Sequence, residues 1–200
     1  VTAYESGYES LSGFNDSFKS ILGVSPSNSK SKQVIDFTRL ETPLGTMFAC
    51  AVAEGICLLE FTDRKMIERQ FESLAKLLDA TVLQGTNKHF DVLQQQLNEY
   101  FAGNRQDFSV PLVTPGTEFQ QAVWQELQNI PYASTCSYQQ QAAALKNPKA
   151  VRAVANANGM NRICIVIPCH RVIGYDGKLT GYAGGLWRKK WLLDLEAENR

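Results

Sequence analysis

Residues 166–173, VIPCHRVI, place a cysteine directly before a histidine and an arginine at the end of an apolar run. A cysteine is a nucleophile in its thiolate form, which a nearby base or positive charge favours. Cys169 therefore has two suitable neighbours in His170 and Arg171. Because adjacent side chains on an extended chain point apart, a water molecule could bridge Cys169 and His170. The pattern predicts a reactive cysteine, and the alternative is a small core residue beside the end of a strand.

A histidine that acts as a base is usually oriented by a carboxylate. Four acidic residues follow the motif, and spacing alone does not choose among Asp176, Asp194, Glu196 and Glu198. A cysteine hydrolase would use the same residue types, but it would also need an oxyanion hole and direct contact between histidine and cysteine.

The composition, 44% hydrophobic and 20% charged over 200 residues, is that of an ordinary globular protein with one sizeable core or two modest ones. Five irregularly spaced cysteines argue against a disulfide framework and for a reducing compartment, so we expect a cytoplasmic protein. No C-x2-4-C pair occurs, and His89 and His170 are far apart, so no metal site and no cofactor is predicted. No apolar run reaches the roughly 18 residues of a membrane span, and no secretory leader is visible.

The formal charge of zero is unevenly distributed along the chain. Residues 1–137 hold 10 basic and 16 acidic residues, whereas residues 138–200 hold 10 and 4. A basic C-terminal third is compatible with a polyanionic partner such as DNA, and a lysine-rich solvated surface is the alternative.

The N-terminal half is predicted to be α+β. A helix over 8–22 is followed by a Ser-rich linker to residue 33. We expect three antiparallel strands within 34–62, helices at 64–78 and 87–103, and a strand after residue 107. These elements form a small antiparallel-sheet domain at 34–113, in which Cys50 and Cys57 are core residues and His89 lies at the surface.

The C-terminal half, 114–200, is predicted to be a mostly helical, winged-helix-like domain. Its first helix is capped by Thr117 and buries Phe119, Val123, Leu127 and Ile130. A short buried strand, ended by Pro168, is expected within ICIVIPCHRVI at 163–173. The last helix is expected to bury Leu186, Trp187, Trp191, Leu192 and Leu195.

Residues 137–160 are typical of two short helices around a tight turn, with Ser137 as the first cap and Lys149 at the start of the second helix. Small residues in the second helix allow a close approach to a groove, and Lys149 and Arg152 can meet phosphates or base edges. The pattern predicts a DNA-binding helix-turn-helix, and an ordinary αα-hairpin is the alternative.

The PCHR motif resembles the active-site signature of O6-alkylguanine-DNA alkyltransferases, the methylated-DNA–protein-cysteine methyltransferases. Four further blocks look like those of the family in order and spacing: FQQAVWQELQNIP, SYQQQAAAL, NPKAVRAVANANGMN and GYAGGLWRKKWLL. The resemblance covers residues 34–200.

The resemblance implies roles for four residues in alkyl transfer. Cys169 would accept the alkyl group, and His170 would take the thiol proton through a water molecule. Glu196 would orient His170 and balance its charge. Asn161 would hold the turn between the recognition helix and the active-site segment.

The resemblance also implies a set of DNA and substrate contacts. Tyr138 would press on the phosphate of the target nucleotide and help to protonate the leaving guanine, and Arg152 would fill the space left by a flipped base. Some relatives have a serine at the position of Ala183. The residues assigned to these contacts are Ser137, Tyr138, Ala150, Arg152, Tyr182, Ala183 and Lys189.

The implied partner is double-stranded DNA with alkylated bases, without an obligate protein partner. The O6 atom of a stacked guanine is out of reach of a thiolate, so the nucleotide must be rotated out. The thioether formed has no easy hydrolysis, which implies a single-turnover protein acting on O6-alkylguanine and, as a further candidate, O4-alkylthymine. Binding through the minor groove would tolerate any sequence. The alternative to an alkyl-transfer enzyme is a sensor that only binds lesions.

Residues 1–24 resemble the second half of an AraC-type DNA-binding domain. Ada-type proteins join such a domain to an alkyltransferase. The chain is therefore similar to the C-terminal part of an Ada-like repair protein, which implies a role in transcription regulation for the full-length form.

Overall fold

The structure, a computed structural model, describes residues 33–65 and 67–200, which divide into two units. The helix predicted over 8–22 and the AraC-type remnant at 1–24 lie outside the described residues.

The first unit contains the described residues up to Gln94 together with Val110–Pro115. Its four-stranded sheet has the order β3-β2-β1-β4. The strands are β1 (Gln33–Thr42), β2 (Gly45–Val52), β3 (Gly55–Phe61) and β4 (Ala80–Gln84).

The sheet is mixed rather than purely antiparallel. Strands β1, β2 and β3 form the predicted antiparallel meander, but β4 pairs with β1 in parallel, with Gln33 opposite Ala80. Parallel strands need a crossover, and helix α1 (Ile67–Leu77) lies in the chain between β3 and β4. Strand β4 was not predicted from the sequence, because its five residues follow the helix without a clear turn signal.

The core of this unit contains a cluster of three phenylalanines among aliphatic side chains. Phe37, Phe48 and Phe71 pack edge to face, with ring centroids 5.4–6.3 Å apart. Cys50 and Cys57 are fully buried, as predicted. Helix α1 is amphipathic, and Phe71 lies on its buried face.

Two predictions for this unit are wrong. The strand expected after residue 107 is a single bridge between Ile56 and Leu112, since Pro111 has no N–H to extend a ladder. His89 is buried rather than at the surface, and its Nε2 lies 3.1 Å from the carbonyl oxygen of Ala53 in the β2–β3 turn.

The second unit comprises Gln95–Ser109 and Gly116–Arg200. Helix α2 (Lys88–Phe101) ends in it, followed by α3 (Glu118–Gln128), α4 (Tyr138–Ala144), α5 (Val151–Gly159) and α6 (Leu186–Glu198). The short strands β5 (Cys136–Ser137) and β6 (Val172–Ile173) pair in parallel. Thr117 and Ser137 cap α3 and α4 with complete capping boxes, as the sequence predicts.

Helices α4 and α5 form the predicted helix-turn-helix pair. The connecting residues include Lys146 at a φ of 57° and a hydrogen bond from Ala150 N to Asn147 O of 2.9 Å. Lys149 lies in this connection, because α5 begins at Val151 rather than at Lys149.

The buried face of α6 differs from the prediction. Leu186 and Trp187 are 46% and 58% exposed, so their predicted burial is wrong. The buried positions include Lys189 and Glu196, whose polar groups have partners inside the protein. The predicted burial of Phe119 in α3 is also wrong, since this side chain is 37% exposed.

The predicted α+β class, with a small sheet unit followed by a helical unit, is confirmed. Among residues 33–65 and 67–200, no helix combines the length and the apolar character that a membrane crossing needs.

Candidate active site

The segment from Asn161 to Cys169 is a series of tight turns, so the short strand predicted to end at Pro168 is wrong. Val166 N donates to Cys164 O over 2.8 Å, and Ile167 N donates to Ile163 O over 3.0 Å. Ile165 has a φ of 72°, which is rare for a β-branched residue. An apolar run alone does not distinguish a buried strand from such buried turns.

The side chain of Asn161 bonds to two backbone groups of this segment, in place of the backbone partners that a neighbouring strand would provide. Its Oδ1 accepts from Ile163 N over 3.0 Å, and its Nδ2 donates to Ile167 O over 2.8 Å. The same Nδ2 lies 3.2 Å from the Sγ atom of Cys169. Asn161 therefore both closes the turn and contacts the thiol.

Cys169, His170 and Arg171 form a single turn of 3-10 helix and are all buried. The turn is closed by a 3.0 Å hydrogen bond from Arg171 N to Pro168 O. In this conformation consecutive side chains diverge, so Cys169 and His170 face different surroundings.

Of the four downstream carboxylates, the structure brings Glu196 to the histidine. His170 Nε2 is 2.7 Å from Glu196 Oε1, and both side chains are fully buried. Asp176 and Asp194 pair instead with the exposed lysines Lys178 and Lys190.

Glu196 accepts hydrogen bonds from four residues. Arg171 approaches with Nη2 at 3.0 Å from Oε1 and Nε at 3.0 Å from Oε2. Tyr100 Oη donates to Oε1 over 2.7 Å, and Ala133 N donates to Oε2 over 3.0 Å. Sequence reasoning did not assign Tyr100 or Arg171 to this network. The position of Arg171 inside the motif was a usable signal, whereas Tyr100 is 96 residues from Glu196.

These contacts set the charges at the site. Burial alone would raise the pKa of Glu196, but the hydrogen bonds and charges of His170 and Arg171 lower it to about 2. Burial lowers the pKa of His170 and outweighs its hydrogen bond to Glu196. The pair is therefore a carboxylate beside a neutral imidazole at neutral pH.

The carboxylate also fixes the tautomer of His170. A carboxylate only accepts hydrogen bonds, so Nε2 of His170 carries the proton and donates it to Glu196. Its Nδ1 is buried and has no hydrogen-bond partner among the residues that the structure describes. Nδ1 is therefore the nitrogen that can accept a proton.

The protein is expected to lose stability continuously as the pH falls from about 6.5 towards 2. Below the ordinary His pKa of 6.5, the unfolded chain binds a proton that buried His170 excludes. The stabilisation due to Glu196 is complete above pH 4.5 and is lost as the pH falls to about 2, a difference of about 3 kcal/mol. Urea unfolding between pH 8 and pH 3 measures this dependence, and equal stability at pH 7 and pH 5 would contradict the assignment for His170.

Lys189 is a fully buried cation that holds together the chain around the thiol. Its Nζ donates to the carbonyl oxygens of Val172, Thr180 and Gly181 over 2.5, 2.8 and 3.1 Å. Burial lowers its pKa to about 8, although the nearby Cys169 opposes this shift. Hydrogen bonds from Lys189 therefore link Thr180 and Gly181 to Val172 in β6.

A pocket of about 140 Å³ opens beside the thiol. Of the sequence-predicted site residues, Cys169, Tyr138, Tyr182 and Ala183 line it. Tyr138 Oη donates to Thr180 O over 3.0 Å, which ties α4 to the loop. The full lining is Tyr138, Ala155, Asn158, Gly159, Cys169, Gly181, Tyr182 and Ala183.

The remaining predicted contact residues lie on the helix-turn-helix, outside this lining. Arg152 is exposed in the first turn of α5, and Ala150 is half-buried directly before that helix. Ser137 is half-buried, and its hydroxyl accepts from Gln140 N as the cap of α4.

Both parts of the chain match known domains. Residues 35–114 match the ribonuclease-like domain of 6-O-methylguanine DNA methyltransferase, and residues 118–198 match its DNA-binding domain. The two matched domains together cover most of the chain and define it as a DNA methyltransferase of this two-domain class. The chain belongs to the 6-O-methylguanine DNA methyltransferase family.

Individual relatives agree with this assignment. A methylated-DNA–protein-cysteine methyltransferase of Methanosarcina barkeri is 41% identical over 160 residues, which cover 80% of this chain and 96% of that protein. A constitutive one of Bacillus subtilis is 46% identical over 166 residues, covering 80% and 94%. The crystal structure of Mycobacterium tuberculosis OGT in complex with DNA has a TM-score of 0.70 at 38% identity, covering 82% of this chain and 94% of that one. The prediction of a methylated-DNA–protein-cysteine methyltransferase is confirmed.

Proposed function

We propose that this chain repairs double-stranded DNA by transferring the alkyl group of O6-alkylguanine to Cys169. The observation that carries the proposal is the thiol of Cys169 in the wall of a pocket, on the residue directly before a buried histidine that is paired with a carboxylate. The DNA complex of a relative supports DNA as the partner.

The proposed alkyl transfer is a single displacement at the alkyl carbon. His170 Nδ1 takes the thiol proton through a water molecule, and the thiolate attacks the alkyl carbon. The S–C bond forms as the bond from that carbon to O6 breaks, and guanine leaves with the bonding electrons. Protonation from Tyr138 Oη would then neutralise the guanine.

Glu196 supports this proton transfer by holding His170 with Nε2 protonated and Nδ1 available. It also offsets the positive charge that His170 gains during the step. Asn161 holds Cys169 at the pocket by closing the preceding turn.

The helix-turn-helix would deliver the nucleotide. Rotating a base out of the duplex costs a few kcal/mol, and the exposed Arg152 at the start of α5 could fill the gap. Ser137 and Ala150 lie at the N-terminal ends of α4 and α5, where backbone N–H groups can meet phosphates of the minor groove.

The 180–183 loop would form one wall for the base. Tyr182 and Ala183 line the pocket, and Lys189 holds the loop from behind. Since Ala183 has no hydroxyl, a backbone N–H of this loop would bind the guanine O6. The same pocket could take O4-alkylthymine.

The thioether product is stable, so each molecule would act once and without a cofactor. We further propose the boundaries predicted from the sequence: an AraC-type remnant at 1–24, a linker at 25–33, and alkyltransferase domains at 34–113 and 114–200. An Ada-like parent protein in the cytoplasm, with a role in transcription regulation, follows from that resemblance.

The test is stoichiometry. Incubating the protein with a duplex that contains one O6-methylguanine should add one methyl group to the Cys169 peptide and then stop at one equivalent per protein. Peptide mass spectrometry measures both quantities. An unmodified Cys169 with the lesion bound but intact would favour a sensor, and continued turnover would favour a hydrolase.

A further inference from the structure

A pair of carboxamides is buried beside the pocket. Asn158 Nδ2 donates to Gln141 Oε1 over 2.7 Å, and Gln141 Nε2 lies 3.2 Å from Asn158 Oδ1. The two side chains join α4 to α5 and are only 2% and 6% exposed for Gln141 and Asn158. Asn158 also belongs to the pocket lining.

The hydrogen-bonding capacity of this pair is not exhausted. Gln141 uses its second N–H on the carbonyl oxygen of Val123, at 3.3 Å. A carboxamide has two N–H donors and two acceptor positions. Within the described part of the chain, the Asn158 side chain bonds only to Gln141, which leaves it one N–H and one acceptor position.

We infer that Asn158, held by Gln141, determines which alkyl groups the pocket accepts, and that it favours groups with a hydroxyl over apolar groups of equal size. This inference rests on the proposed transfer to Cys169. An alkyl group that reacts with Cys169 must occupy the pocket that Asn158 lines.

The physical reason is the cost of an unsatisfied polar group. An apolar chain that displaces water from Asn158 leaves its N–H without an acceptor, which is unfavourable in a buried site. A terminal hydroxyl replaces that water and restores the hydrogen bond. Pockets that hydrogen-bond a substrate group discriminate strongly against analogues that lack it.

Two nearly isosteric substrates test the inference: O6-(2-hydroxyethyl)guanine and O6-(n-propyl)guanine in the same duplex. The single-turnover rate with the hydroxyethyl base divided by the rate with the propyl base gives one ratio. This ratio should be about tenfold higher than the corresponding ratio for the reaction of the same two bases with a small thiol in solution. In Gln141→Leu/Asn158→Leu, which removes both partners together, the ratio should fall to that solution value.

The matched control is Gln139→Leu/Asn156→Leu, the same changes at exposed positions of the same helices. It should keep the wild-type ratio. A merely structural role for the amide pair would change both rates together and leave their ratio unaltered.

A wild-type ratio equal to the solution ratio overturns the inference even if the double variant does not fold. So does a folded Gln141→Leu/Asn158→Leu variant that keeps the wild-type ratio. Methyl transfer from O6-methylguanine to Cys169, measured in parallel, separates this failure from failure of the proposed function.

Discussion

Cys169→Ser is expected to bind a duplex containing O6-methylguanine but to transfer no methyl group. A serine hydroxyl ionises far less readily than a thiol, and His170 is a neutral imidazole that cannot produce an alkoxide in useful amount. The hydroxyl still offers an acceptor at the place where Asn161 Nδ2 now lies 3.2 Å from Sγ. Loss of function should therefore come without loss of the fold.

Intact mass after incubation with the methylated duplex, together with thermal unfolding, checks this prediction. Cys136→Ser is the matched control, because Cys136 is a half-buried cysteine of the same unit outside the pocket lining. It should still gain one methyl group. Methylation of Cys169→Ser, or its loss in Cys136→Ser, would place the acceptor elsewhere.

Glu196→Gln is expected to slow methyl transfer by about 10²–10⁴-fold and to lower the free energy of unfolding by about 3–5 kcal/mol. The amide has nearly the same shape, but it removes the charge that faces buried Arg171. Its NH₂ group also meets donors, since both carboxylate oxygens now accept hydrogen bonds. The negative charge that offsets protonation of His170 during the transfer would also be lost.

Single-turnover kinetics at a temperature where the variant is folded separates the rate effect from the stability effect, which urea unfolding measures. Glu198→Gln, an exposed position in the last turn of α6, should stay within about 0.5 kcal/mol of the wild type and react at the same rate. Equal behaviour of the two variants would remove Glu196 from the mechanism.

Local chemistry explains which elements could be predicted from the sequence. The caps Thr117 and Ser137 work through residues three positions away, so their capping boxes are readable directly. The α4–α5 pair follows from helical periodicity and an intervening Asn-Pro, and the prediction of a reactive Cys169 rests on its neighbours His170 and Arg171.

Predictions failed where hydrogen bonds between side chains and the backbone changed which groups could be buried. The buried segment before Cys169 is apolar enough for a strand, but the side chain of Asn161 takes over its backbone hydrogen bonds. On α6, the apolar pattern favours Trp187 as a core residue. Burial of Lys189 becomes acceptable only because three carbonyl oxygens surround its ammonium group.

The sequence was enough to predict the α+β order of elements, the pair of short helices at 137–160 and a reactive Cys169, because each prediction depends on residues close together in the chain. The folded structure was needed to show that Glu196 and not Asp194 faces His170, that Tyr100 and Arg171 share that carboxylate, and that Asn158 lines the pocket. The reason is that burial and hydrogen-bond partners are properties of the folded neighbourhood. The pKa of Glu196 depends on the residues that donate hydrogen bonds to it. The spacing of these residues in the sequence does not show that they meet.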